Sequence, residues 1–173
     1  MVCYTNAAQA QLTLNGVEVG ATKAYDDNTG VIWWDTPYAA GTLEVRGMDA
    51  AGNIICSDEI RSSSRPYALT AKIEHTSIAN GEGWAQISVQ VVDENGIPVM
   101  LSDDEVTCVI EGPAKLSGLE ASNNTDMTNY RDNIHRVYHG RILAYIQATG
   151  EGEIKISFTA PWLKPAEIVI PNS

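Results

Sequence analysis

The stretch Ala10-Gln11-Leu12-Thr13-Leu14-Asn15-Gly16-Val17-Glu18-Val19 decides the fold class of this chain. Residues 10, 12 and 14 put apolar side chains on one face, while Gln11 and Thr13 face the other way, which is the period-2 signature of a strand. Asn15-Gly16 then supplies two residues that tolerate positive φ, as a two-residue hairpin turn demands. Val17-Glu18-Val19 resumes the alternation, so residues 10–20 are predicted as a β-hairpin.

The same period spreads outward from this hairpin. Upstream, Val2-Cys3-Tyr4-Thr5 has the character of the middle of a strand, with no leader before it. A cytoplasmic protein or an excised piece of a longer secreted one would both start this way, and the abruptness favours the second. Downstream, Asp26-Asp27-Asn28-Thr29-Gly30 is a loop, and Val31-Ile32-Trp33-Trp34 is a strand closed by Pro37. Trp33 and Trp34 are adjacent, so one must point inward and one outward. Leu43-Glu44-Val45-Arg46 and Ile54 to Ile60 follow as strands around the turn Asp49-Ala50-Ala51-Gly52-Asn53. Ser62-Ser63-Ser64-Arg65-Pro66 is a short polar linker closed by proline, a hinge of limited reach.

Beyond it, Leu69, Ala71 and Ile73 alternate, as do Ile87, Val89 and Val91, and then Val106, Cys108 and Ile110. Asp93-Glu94-Asn95-Gly96 is a hairpin turn. Residues 112–135 are mostly polar with weak periodicity and are predicted as a long loop, a kind of segment that is often functional. Strands resume at Val137–Ala148, Glu153–Thr159 and Ala166–Ile170. No segment carries a sustained apolar stripe at helical spacing, so almost no helix is expected. Many short strands with frequent turn signals describe an all-β protein, a sandwich rather than a barrel. The expected organisation is two tandem immunoglobulin-like β-sandwich domains, 1–63 and 67–173. The first is short of the roughly 100 residues of a full sandwich and is expected to lack its first strand.

Composition narrows the function. With 22 acidic against 11 basic residues, the chain carries a formal charge of −11. Such a surface repels phosphate backbones and anionic lipids, which argues against nucleic acid and membrane partners. No stretch approaches the ~20 apolar residues of a membrane helix. Cys3, Cys56 and Cys108 are no disulfide framework and have no CxxC spacing for zinc. Cys108 alternates with Val106 and Ile110 and is expected as a small buried apolar residue. Cys3 and Cys56 bracket the first module and could pair.

The search for chemistry is mostly negative. A glycosidase needs two carboxyls set across a cleft. The acids here (Asp26, Asp27, Asp93, Glu94, Asp103, Asp104) sit in turns, where they bond nearby backbone. Asp26-Asp27-Asn28 offers oxygen ligands for calcium but lacks the spacing of a calcium loop. His135 and His139 have H-x3-H spacing outside any helix, so surface histidines are expected and no metal site is. There is no GxSxG elbow and no phosphate loop. No catalytic residue and no cofactor are therefore assigned. Aromatics give the only binding signal, because Trp and Tyr faces stack on sugar rings. Tyr25, Trp84, Tyr130 and Trp162 are the candidates, joined by Asn123 and Asn124 in the long loop.

Two longer runs carry a resemblance. Cys3-Tyr4-Thr5-Asn6-Ala7-Ala8 and Ala10 through Gly20 resemble the "YTN…ELFLNGxxLG" run that follows the catalytic barrel in bacterial glycoside hydrolase family 2 enzymes of the β-galactosidase-like, gut Bacteroides type. Trp34-Asp35-Thr36-Pro37-Tyr38 with Gly41-Thr42-Leu43 is similar to their "WxVPYxPGxL" segment. Residues 67–170 resemble the bacterial immunoglobulin-like domain that ends many such chains, through Val89–Val99, Glu111-Gly112-Pro113-Ala114-Lys115-Leu116 and Tyr138-His139-Gly140-Arg141. Thr13, where the family commonly has an aromatic, and Ala39-Ala40 depart from the pattern. The resemblance implies that both catalytic glutamates lie in an upstream TIM barrel, matched by no residue here. It implies a structural accessory region of a secreted glycosidase, periplasmic or extracellular, with that barrel as partner and glycan as a further one. A carbohydrate-binding module and an adhesin-type spacer are the alternatives.

Overall fold

The computed structural model describes residues 1–172 and contains strands and turns throughout, with no helix among the described residues. The chain divides into two compact units, Met1–Ser62 and Ser63–Ser173. The all-β, immunoglobulin-like reading holds. The last residue of the expected second module, Ser173, lies outside the described residues.

The first unit runs β1 (Val2–Cys3), β2 (Gln9–Leu14), β3 (Val17–Glu18), β4 (Lys23–Ala24), β5 (Ile32–Trp33), β6 (Thr42–Met48) and β7 (Ile54–Arg61). The hairpin forms where the turn chemistry places it: Asn15 and Gly16 sit at φ 52° and 78° between β2 and β3. One sheet has the order β3-β2-β6-β7, with β4 also on β2, and β1 pairs with β5 in a second, two-stranded sheet. Ala10, Leu12, Ile32 and Trp34 form the buried core, with Tyr25, Leu43 and Val45 packed against it. The adjacent tryptophans split as alternation requires: Trp34 is 1% exposed and Trp33 58%. The other face of β2 is covered too, since Gln11 and Thr13 are 9% and 7% exposed. The cause is local. The chain after β3 folds over this face, where Thr22 Oγ1 donates to Gln11 Oε1 at 2.6 Å and Gln11 Nε2 donates to Gly20 O at 3.2 Å.

The second unit runs β8 (Ala68–Thr76), β9 (Trp84–Val92), β10 (Glu105–Glu111), β11 (Ala114–Glu120), β12 (Ile134–Arg136), β13 (Arg141–Ala148), β14 (Ile154–Thr159) and β15 (Ala166–Ile170). Its sheets are β8-β9-β13-β11 and β15-β14-β10-β12. Strands A, B, E, D against C, F, G is the immunoglobulin constant-type arrangement. It appears here with β12 added beside β10. Alternation drives the packing. Ala85, Ile87, Val89 and Val91 of β9 meet Ile142, Ala144 and Ile146 of β13, and Ile154, Ile156 and Phe158 of β14 close the core from the opposite sheet. Cys108 is buried as read, and burial pushes its thiol up to about 12.

Two expectations need correction. The loop predicted over 112–135 contains β11 and the start of β12, so the true loop is residues 121–133. Strand β11 hid because a bulge between Leu116 and Gly118 shifts its alternation by one. The strand predicted from Val137 starts at Arg141, because His139 and Gly140 take φ 51° and 70° in a turn closed by Tyr138 N donating to Arg141 O.

Asp93 ties the chain before β8 to the turn after β9. Its carboxylate accepts from Ser64 N, Asn95 N and Ile97 N, each at 2.9 Å, and from Ser64 Oγ at 3.3 Å. The Ser64 N–H first, then those of Ile97 and Asn95, hold its carboxyl below the ordinary aspartate value. A depressed folded pKa contributes stability above the unfolded value of about 3.9 and loses it as pH falls through the folded pKa. Asp93→Asn is therefore expected to lower the urea midpoint at pH 7, with the gap to wild type closing below about pH 4. A gap that stays constant down to pH 2 would sink this assignment.

Candidate functional site

Two of the four aromatic candidates, Trp84 and Tyr130, meet on the outer face of the β8-β9-β13-β11 sheet. Because Ala85, Ile87 and Val89 point inward, Trp84, Gln86 and Ser88 point outward on β9. The same alternation sends Arg141, Leu143 and Tyr145 outward on β13. Register does the rest: Trp84 lies opposite Gln147, Gln86 opposite Tyr145, and Tyr145 opposite Gly118. Trp84, Tyr145 and Tyr130 line an open groove of about 410 Å³ with Ser117, Gly118 and Glu120.

Gly118 and the 121–133 loop set the position of Tyr130. A Cβ on Gly118 would stand 3.0 Å from Tyr130 Cδ2 and 3.2 Å from its carbonyl oxygen, so only glycine lets the ring lie this close to the sheet. Leu119 N donates to Tyr130 O at 2.7 Å. The loop is pinned at its base by His135, which is buried and not on the surface as expected. Its Nε2 lies 3.3 Å from Asp126 Oδ2 and 3.2 Å from Thr128 Oγ1, and its Nδ1 lies 2.8 Å from Arg136 O. Hydrogen bonds from Thr128, and then the imidazole charge, hold the Asp126 carboxyl low.

A second groove of about 450 Å³ continues along the same face, with Gln90, Tyr138, His139, Arg141 and Leu143 on its walls and Glu120 shared. Arg141 on its wall has a carboxylate partner. Glu74 lies 3.7 Å from Arg141 and 2.9 Å from Lys72, and accepts from Ser88 Oγ at 2.6 Å.

The other candidates fall elsewhere. Tyr25 packs on the core of the first unit. Asn123 caps its own turn, accepting from Thr125 N at 3.1 Å and Oγ1 at 2.8 Å, and Asn124 is exposed in that turn. Trp162 is fully exposed at φ 67° between β14 and β15. Tyr145 was missed, although its outward place in the alternation of residues 141–148 marks it.

Asp26 spends both oxygens on Asn28 and Thr29, and Asp49 likewise holds Ala51 and Asn53. Among the described residues no group of three or more His, Cys, Asp or Glu could hold a metal ion.

The first unit has a groove of its own, about 490 Å³, between β1 and the edge of the larger sheet. Cys3, Tyr4, Leu43, Val45, Cys56 and Ile60 are among its walls. Among the described residues β1 is paired only with β5 and β7 only with β6, and every residue of β7 is exposed. Cys3 and Cys56 share the groove with both thiols free. Burial first, then Cys56 and Asp58, raise the Cys3 thiol.

A constant-type sandwich with a lined outer face, preceded in the chain by a smaller open sandwich, defines a pair of immunoglobulin-like β-modules. Residues 69–169 match the model of glycoside hydrolase family 2 C-terminal domain 5, and the chain belongs to that family. Residues 1–56 match a domain of unknown function, DUF4982. The chain is 26% identical over 173 residues to beta-galactosidase BoGH2A of Bacteroides ovatus, covering 98% of this chain and 20% of that protein. It is 25% identical over 180 residues to a putative beta-glucuronidase of Formosa agariphila, covering 98% and 16%. Among solved structures, a beta-glycosidase from Bacteroides vulgatus superposes with a TM-score of 0.89 at 25% identity, covering 98% of this chain and 22% of that one. A glycosyl hydrolase family 2 member from Bacteroides cellulosilyticus shares the fold with a TM-score of 0.91 at 24% identity, covering 99% and 22%. The chain thus spans about a fifth of the length of the proteins it matches.

Proposed function

We propose that this chain is the non-catalytic C-terminal accessory region of a secreted, β-galactosidase-like family 2 glycoside hydrolase, and that it supports an upstream catalytic barrel in the same polypeptide. The observation that carries the reading is the open groove of the first unit. Apolar side chains of β6 and β7 line it, β1 and β7 each leave one strand edge unpaired, and the core cluster of this unit has just four buried apolar residues among the described residues. Unpaired edges beside exposed apolar surface call for cover by further chain. The family membership and the share of each relative that the chain spans support upstream sequence as that cover. The β-galactosidase-like character follows the Bacteroides ovatus relative, and the same reading puts the parent in the periplasm or at the cell surface.

The test compares this chain with a version extended upstream by the sequence of its own gene. The extended protein is expected to hydrolyse a chromogenic β-galactoside and to gain amide protection in β1 and β7, while the chain alone hydrolyses none. Turnover by the chain alone, or an upstream region that brings neither activity nor protection, would overturn the reading.

A further inference from the structure

We infer that the outer face of the β8-β9-β13-β11 sheet is a binding site for a neutral oligosaccharide, with Trp84, Tyr130 and Tyr145 as its stacking rings. The site stands on the second unit's own geometry and does not rest on the accessory reading.

Three observations carry it. The first is composition. A sugar ring offers an apolar C–H face and a rim of hydroxyls, so it needs flat aromatic surface with polar groups close by. Here Gln86 Nε2 reaches Tyr145 Oη at 3.4 Å, and the Glu120 carboxylate stands on the same wall. The second is charge. Arg141 lies 3.7 Å from Glu74, Glu120 adds a carboxylate that both grooves share, and the chain as a whole carries −11, so the face favours a neutral ligand over an anionic one. The third is shape. Two grooves of about 410 and 450 Å³ meet at Glu120, which suits several linked sugar units and not a single one. Tyr130 is already held by its loop and by Gly118, so little ordering is left for binding to supply.

The test is affinity electrophoresis of the chain through gels cast with β-1,4-galactan, galactomannan and xylan, with polygalacturonate as the anionic control, backed by an array of neutral glycans. Retardation by at least one neutral glycan is expected. Trp84→Ala and Tyr130→Ala should each weaken it about five- to tenfold, Trp84→Phe should restore most of it, and Trp162→Ala should leave it unchanged. Thermal midpoints of the variants confirm that they remain folded. The inference is overturned if no neutral glycan binds, if only polygalacturonate binds, or if binding survives both alanine substitutions.

Discussion

Phe158→Ala is expected to lower the stability of the second unit by about 3–5 kcal/mol, read as a fall in the urea midpoint at unchanged slope. Phe158 is the single phenylalanine of the chain and is fully buried. It sits opposite Cys108 on the neighbouring strand and faces the inward residues of β9 and β13 across the sandwich. The core cluster it belongs to is made largely of β-branched and small side chains such as Ile87, Val106 and Ala144. These have few rotamers with which to refill the space, so the cavity persists and its cost adds to the lost burial. For a domain whose whole stability is roughly 5–15 kcal/mol, this is about a fifth of it or more. Phe158→Leu keeps most of the volume and should lose much less. An alanine variant within about 1 kcal/mol of wild type would show that the two sheets close on each other more readily than this packing implies.

What was legible in the sequence follows from how each feature is encoded. Strands with one buried face announce themselves, so Ala166–Ile170 was read to the residue; Ile54–Ile60, one short of β7, was legible from its flanking turn although no residue of that strand is buried. The Asn15-Gly16 turn was legible because only residues tolerant of positive φ close that hairpin. Strand β11 was not, because its bulge at Ser117 breaks the period that would have betrayed it. Burial of Gln11 and His135 was not legible either, since each is covered by chain folding back through specific hydrogen bonds and not by pattern. The site was half legible. Trp84 and Tyr130 stood out as aromatics among polar residues, yet they are far apart in sequence. Only the strand order β9-β13-β11 brings them together and inserts Tyr145. Pairing of that kind is non-local, and no local period records it.

The second large effect is expected in the first unit, where Trp34→Ala should abolish amide protection across β2 and β6 at 25 °C. Replacing a fully buried tryptophan by alanine costs about 3–5 kcal/mol. The first unit has little to set against that. Among the described residues its core cluster has four buried apolar side chains, against nineteen in the second unit, and one wall stands open as the groove. Trp34 also anchors the start of the chain: its N–H donates to Met1 O at 2.8 Å and its carbonyl accepts from the terminal amine at 2.7 Å, extending the β1–β5 pair. The indole N–H itself is buried without a partner. Trp34→Phe discards that orphaned donor, which partly offsets the smaller ring, so it should retain protection where alanine does not. Hydrogen exchange resolved by peptide over residues 1–62 separates the outcomes. Protection that survives in the alanine variant would mean that the hairpin and β6 hold without the indole, and the core would have to be sought on the other face of β2, around Gln11 and Thr13.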